Sequence, residues 1–167
     1  MKAYIVEKEA ILHNLEVLQK KAGGTPIWAV LKGNGYGLGV KPMAELCWEK
    51  EITRFAVTEP EEAASIRELY PEAKILMLRP TTDQQELQRL LELDVIATVA
   101  STEDAAVLNA LAAQRDVVAE AHVKVDTGMG RYGFCRRNRK KSCRSIATMT
   151  TLPCPVSTRT SIRHLER

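Results

Sequence analysis

The chain has 167 residues, 45% of them hydrophobic and 27% charged, with 24 Lys and Arg against 21 Asp and Glu for a formal net charge of +3. No apolar run reaches the ~18 residues of a membrane span, and Met1-Lys2-Ala3-Tyr4 opens directly toward a strand without the apolar core of a signal peptide. Neither a membrane segment nor a secretory address is therefore expected, and a cytoplasmic location is.

In chain order, the first element is a helix, with Ile11, Leu12, Leu15 and Leu18 at helical spacing and Gly23-Gly24 as its stop. His13 on this helix reads as structural. Short apolar runs follow at Ile27–Leu31, Phe55–Val57, Ile75–Leu78, Val95–Val99 and Ala121–Val125, each separated from the next by a helix-like stretch. Cys47 lies beside Trp48 in one of these apolar helices and reads as a packed thiol, not a nucleophile. Glu59, Glu61 and Glu62 form an acidic helix start, expected to be solvated and favoured by the helix dipole. Asp83 has the place of an N-cap, with Glu86 in capping-box position and Leu87, Leu90 and Leu91 as the apolar stripe. Ser101 or Thr102 opens a further helix that turns Ala105, Leu108 and Leu111 inward. Strands this short and apolar are buried on both faces, as in a parallel sheet covered by helices. The order fits an α/β fold of the (β/α) barrel type, in which ligands sit at the C-terminal ends of the strands.

Two segments carry the chemistry. The first is Ala29-Val30-Leu31-Lys32-Gly33-Asn34-Gly35-Tyr36-Gly37-Leu38-Gly39, where a buried-strand pattern delivers one lysine into a glycine-rich loop. Such a placement presents an amine at a strand's end, with bare backbone beside it to receive an anion. The strict alternation of Gly33, Gly35, Gly37 and Gly39 lacks the third glycine of a G-x-G-x-x-G turn, and no G-K-[ST] follows, so both nucleotide motifs fail. The run resembles the pyridoxal-phosphate loop of bacterial alanine racemases, A-V-x-K-x-N-x-Y-G-x-G. The second segment is Val123-Lys124-Val125-Asp126-Thr127-Gly128-Met129-Gly130-Arg131-Tyr132-Gly133-Phe134. A short strand ends in Asp-Thr-Gly, and glycines then let the backbone turn so that Arg131 points back over the strand ends. It resembles the signature K-V-D-T-G-M-G-R-x-G-F of the same family.

The resemblance implies pyridoxal 5'-phosphate as cofactor, Lys32 as the Schiff-base lysine and one of two catalytic bases, and Tyr36 as a hydrogen-bond partner of the cofactor phosphate. It further implies that Arg131 donates to the cofactor's phenolic oxygen, and that Lys124 is the lysine many members carry as a carbamate to hold that arginine. The family reaction is interconversion of L- and D-alanine for peptidoglycan synthesis, by a homodimer. In that family the second base is a tyrosine of a C-terminal β-domain that crosses the dimer interface. Racemisation of serine or another amino acid, or non-catalytic binding of the cofactor, stand as alternatives.

A complete barrel of this type takes about 250 residues, whereas Met1 to Phe134 supply about five strands, so a partial (β/α)8 barrel is expected over residues 1–134. Cys135 to Arg167 differ abruptly. They hold nine Lys or Arg and a single acid, Glu166, leaving 15 basic and 20 acidic residues for Met1–Phe134. Three of the four cysteines (Cys135, Cys143 and Cys154) and nine Ser or Thr fall there, with no apolar periodicity. The basic run Arg136-Arg137-Asn138-Arg139-Lys140-Lys141 lacks the aromatic interleaving of a nucleic-acid arm. The cysteines and His164 match no zinc spacing, so neither a nucleic acid nor a metal is expected. Residues 135–167 are instead expected to be an out-of-frame, unstructured tail on an incomplete and inactive fragment. With free wobble bases and synonymous codons chosen, the shifted frame across Met149–Ser161 can be written Asp-Asn-Ile-Ala-Val-Ser-Gly-Ile-Tyr-Thr-His-Phe. That contains the family's next motif, V-x-G-I-x-T-H-F.

Overall fold

A computed structural model describes residues 5–135. The strand expected at Met1-Lys2-Ala3-Tyr4 and the tail beyond Cys135 lie outside the described residues. The chain divides into two compact units, the first ending at Ile75 and the second beginning at Leu76.

In the first unit, α1 (Lys8–Ala22) stops at Gly23, which takes the left-handed φ of 57° that a side chain would resist. Its apolar stripe is only half-buried, and Leu18 is exposed. β1 comprises just Ala29–Val30, because only these two residues pair with β2 (Arg54–Val57), in parallel, as Ala29↔Phe55 and Val30↔Ala56. Leu31 still donates its N–H to Ala56 O (2.9 Å), but its ψ of 23° then turns the chain out of the sheet. A five-residue turn, α2 (Lys32–Tyr36), leads to α3 (Val40–Glu49), and α4 (Pro60–Leu69) comes after β2. Phe55, Val57 and Ile66 are fully buried between these layers. Trp48 of α3 stacks on Tyr70 at 4.0 Å between centroids. Burial beside that stack pushes the Cys47 thiol up to about 11, so it stays protonated and serves packing, as expected. β3 (Lys74–Met77) lies on the other side of β2 and runs across the boundary between the units.

In the second unit, α5 (Gln84–Glu92) is capped by Asp83, whose carboxylate accepts the Glu86 N–H (2.8 Å). The reciprocal half of the expected capping box does not form. Glu86 turns instead to the Arg79 guanidinium (2.6 Å) and accepts from the Thr81 hydroxyl (2.8 Å), while the Asp83 N–H goes to Thr81 Oγ1. A guanidinium offers a fork and a charge that one amide cannot match. Ser101, not Thr102, caps α6 (Thr102–Gln114), in a full capping box with Asp104. β4 (Ala97–Val99) pairs in parallel with β5 (Ala121–Val123), and Leu76 bridges Ile96 in the same sense. The strand expected over Ala121–Val125 breaks at Lys124. Its N–H donates to Val99 O (2.8 Å), its carbonyl accepts Phe134 N–H (2.9 Å), and β6 (Val125–Asp126) then pairs with β7 (Phe134–Cys135).

The strand pairs are parallel and each of β1 to β4 is followed by a helix. This is the α/β alternation of the first strand–helix units of a TIM-type barrel. Among the described residues no helix is long and apolar enough to cross a membrane.

Candidate active site

Lys32 stands where the sequence puts it, just beyond the end of β1 with Leu31 between, and is half-buried. Its ammonium lies 6.0 Å from the centroid of the Tyr36 ring, at the outer reach of a cation–π contact. Among the described residues no carboxylate lies within ion-pair distance of it, so the amine is not committed to a salt bridge. The turn entered at Lys32 has the opposite hand to an ordinary helix. Gly33, Asn34 and Gly35 have φ of 62°, 53° and 62° with positive ψ, and Tyr36 has φ of 56°. Glycine takes this region freely, asparagine tolerates it, and a tyrosine does so at a cost of roughly 1–2 kcal/mol. Tyr36 is nevertheless 65% exposed, so no buried packing rewards the strain.

The bare backbone expected to receive an anion is not free. Gly35 N–H donates to Leu31 O, Gly37 N–H to Gly33 O and Asn34 O, Leu38 N–H to Gly35 O, and Gly39 N–H to Asn34 O. Val40 N–H donates to Asn34 Oδ1 (3.1 Å) and Asn34 N–H to Glu62 Oε1 (2.8 Å). The amides of Asn34, Gly35, Gly37, Leu38, Gly39 and Val40 are therefore already engaged within the protein.

Glu62 corrects the expectation of a solvated acidic helix start. Glu59 and Glu61 are exposed, but Glu62 is only 8% exposed. Its Oε2 accepts the N–H groups of Thr58 (3.0 Å) and Glu59 (3.2 Å), closing the capping box of α4, while Oε1 reaches the loop. Asn34 and Glu62 are not evident as site residues from sequence. The only signals are an asparagine between two glycines, and a glutamate three residues past the N-cap Glu59, with Pro60 at the helix start.

In the second unit Lys124 and Arg131 bracket one tight turn. Asp126 organises it: Oδ1 accepts the N–H groups of Gly128 and Met129, and Oδ2 accepts that of Gly130, each at 2.9 Å. The Gly128 hydrogen bond, with those of Gly130 and Met129 and the Lys124 charge, holds the Asp126 carboxyl below its ordinary range against the opposing effect of desolvation. Arg131 is exposed, with its guanidinium carbon 5.5 Å from the Tyr132 ring centroid. Gly133 closes the loop against β6. A Cβ there would sit 2.6 Å from Asp126 N, and its φ is 122°.

Among the described residues no cluster of His, Cys, Asp and Glu could hold a metal ion. A depression of about 430 Å³ beside the first loop is lined by Asn34, Val40, Pro42 and Glu62 but not by Lys32.

Known proteins resemble this chain in sequence and in fold. The chain is 39% identical over 130 residues to an alanine racemase of Desulforamulus reducens, a match spanning 77% of this chain and 35% of that one. An alanine racemase structure from E. faecalis superposes with a TM-score of 0.73 at 32% identity, covering 86% of this chain and 39% of that one. A histidine racemase from Leuconostoc mesenteroides superposes with a TM-score of 0.77 at 27% identity, covering 87% and 39%. The chain thus spans about a third of the length of the curated relatives it matches. The profile of the family described as alanine racemase, N-terminal domain, matches residues 6–160, a span that runs past the change of composition after Phe134. On a match of that extent, the chain belongs to the alanine racemase N-terminal domain family.

Proposed function

We propose that this chain forms the lysine-bearing part of a pyridoxal-phosphate-dependent amino-acid racemase, with Lys32 as the covalent attachment point and one of two bases. The observation that carries the reading is an uncommitted, half-buried amine at a strand end, followed by a tyrosine held exposed in a left-handed conformation. These residues fit the cofactor: Lys32 offers an amine that is free of ion pairs among the described residues, and Tyr36 offers a hydroxyl to a phosphate oxygen. With most of the loop's amides engaged within the protein, the phosphate would be met here chiefly by side chains and by residues elsewhere. Arg131 would donate to the phenolic oxygen, and Lys124, as a carbamate, would orient that guanidinium.

Bound there, the cofactor would supply an electron sink for the charge left at the substrate's α-carbon. Lys32 would take the α-proton, or return it, on one face of that carbon, as a general base. A racemase needs a second base on the other face. The resemblance assigns that role to a tyrosine of a further β-domain in a homodimer, so turnover belongs to the longer protein. We assign residues 1–134 to the barrel and read residues 135–167 as out-of-frame, with a cytoplasmic role in supplying D-alanine to peptidoglycan. The similarity to a histidine racemase favours a second reading in which the same machinery acts on another amino acid, serine included.

Borohydride reduction in the presence of pyridoxal phosphate, followed by peptide mapping, tests the assignment. The pyridoxyl group is expected on Lys32 in preference to the surface lysines, and to be lost in Lys32→Ala. Even labelling of surface lysines, or undiminished labelling of the variant, would overturn it.

A further inference from the structure

We propose that Glu62 is a positioning residue for Lys32, its carboxylate fixing the left-handed turn that carries the lysine by gripping Asn34. The inference rests on the reading of Lys32 as the cofactor-bearing amine. Glu62 has two tasks with two oxygens. Oε2 serves the cap of its own helix, through Thr58 and Glu59, and Oε1 accepts the N–H of Asn34, 28 residues away.

The second capping box of the molecule separates these tasks. Asp104 occupies the same position in α6, and one of its oxygens alone accepts both the Ala100 N–H (2.8 Å) and the Ser101 N–H (2.9 Å). An aspartate is therefore long enough to close such a cap. The extra methylene of Glu62 is what the cap does not require and what Asn34 does.

Asn34 spreads the effect through the loop. Its carbonyl accepts Gly37 N–H (3.1 Å) and Gly39 N–H (2.9 Å), and its side-chain oxygen accepts the first N–H of α3, that of Val40. These bonds form with Asn34 at φ 53°, between two left-handed glycines. A turn of this hand has little intrinsic stability in an L-polypeptide, so it needs an external anchor, and the anchor is a buried carboxylate accepting a charge-assisted hydrogen bond. Lys32 is joined directly to Gly33. The direction of its side chain follows from where that turn is pinned.

Two variants divide the tasks. Glu62→Asp recreates the α6 geometry, keeping the cap and withdrawing from Asn34. Glu62→Gln keeps the length but has a single acceptor oxygen, which the two N–H groups of the cap claim, so that Asn34 N–H meets an NH2 group instead of an acceptor. In each, the pyridoxyl label trapped on Lys32 at limiting pyridoxal phosphate is expected to fall on the order of tenfold, the size of one lost charged hydrogen bond. The remaining label should shift to surface lysines. Asp104→Ala, which removes a cap elsewhere, should lower the thermal midpoint and leave the Lys32 share of the label unchanged. Amide exchange provides a readout that needs no cofactor, since Asn34, Gly37 and Gly39 should lose protection in both Glu62 variants and keep it in Asp104→Ala. Wild-type selectivity for Lys32 in Glu62→Asp, or an equal loss in Asp104→Ala, would overturn the proposal. If the wild-type chain takes no label on Lys32, the cofactor reading fails. Exchange then decides the Glu62 anchor by itself: unchanged protection in the variants refutes it, and lost protection upholds it.

Discussion

The two glycine-rich loops solve one problem in different ways. Each is a short irregular segment that would cost conformational entropy to order, and each is ordered by a carboxylate accepting backbone N–H groups. In the Asp126 loop the carboxylate belongs to the loop itself, and its acceptors serve residues two to four positions on. In the Lys32 loop the carboxylate comes from Glu62, beyond the next strand and inside a helix start. A local clamp needs only its own few residues to be in place. A distant clamp works only once β1, β2 and α4 have assembled, so the geometry around Lys32 should be as cooperative as the unit that contains it.

The largest expected effect tests how tightly each loop is closed. Gly133→Ala sets a Cβ 2.6 Å from the backbone nitrogen of Asp126, with Val125 C and Lys124 O at 3.0 and 3.1 Å, and all three belong to the backbone and cannot swing aside. The loop must lift off β6, at a cost of about 3 kcal/mol or more from overpacking and a strained φ together. Gly37→Ala meets nothing within 4 Å at its φ of 87°, so it should cost only the left-handed strain of about 1–2 kcal/mol. Urea unfolding of the two variants checks the contrast. Equal losses would show that the Lys32 loop is as sterically closed as the Asp126 loop.

A smaller effect separates the loops by pH. The folded Asp126 carboxyl titrates below its ordinary value, chiefly through the Gly128 N–H, so its contribution to stability is complete above the unfolded value of about 4 and is lost as pH falls through the lower folded value. The amide-proton shifts of Gly128, Met129 and Gly130 should titrate together, with a midpoint below that of an ordinary aspartate. In Asp126→Asn that transition should vanish. A midpoint at or above the ordinary value would mean that the three hydrogen bonds do not favour the ionised form.

Part of this contrast is legible in the sequence, and the boundary is physical. The strand–helix alternation follows from local periodicity, and the caps at Asp83 and Ser101 follow from side chains that reach their own helix. Lys32 and Tyr36 are four residues apart in one loop, so their proximity is also local. The features that stay hidden depend on partners distant in the chain. Glu62 looks like any acidic residue in a first helical turn until β2 and α4 bring it under the loop. Glu86 sits in capping-box position but chooses Arg79, and that choice depends on how the segment after β3 folds back. The break at Lys124 is likewise invisible in an apolar run, since it arises because the N–H and the carbonyl of one residue are claimed by different strands. The alternating glycines read as an anion cradle because their spacing reveals freedom of conformation. It does not reveal that the freed amides are then consumed inside the turn.

The smallest expected effect has opposite signs in stability and in ligand capture. Tyr36 is held at φ 56° with its side chain mostly in water, so the fold gains little from the ring and bears the strain of the backbone. Asparagine accepts the left-handed region more readily, and Tyr36→Asn removes no buried contact. Unfolding of the variant should therefore require up to about 1 kcal/mol more than the parent chain. Capture of pyridoxal phosphate on Lys32 should weaken by roughly two- to tenfold, the size of one lost neutral hydrogen bond. The Lys32 ammonium also loses the ring 6.0 Å away, though a contact at that distance in water adds little. Paired thermal melts and borohydride trapping measure both quantities on the same samples. A variant that is destabilised would show that the ring packs more than its exposure indicates. One that is stabilised yet captures the cofactor as well as the parent would remove the only reason the chain has for holding a tyrosine in that conformation.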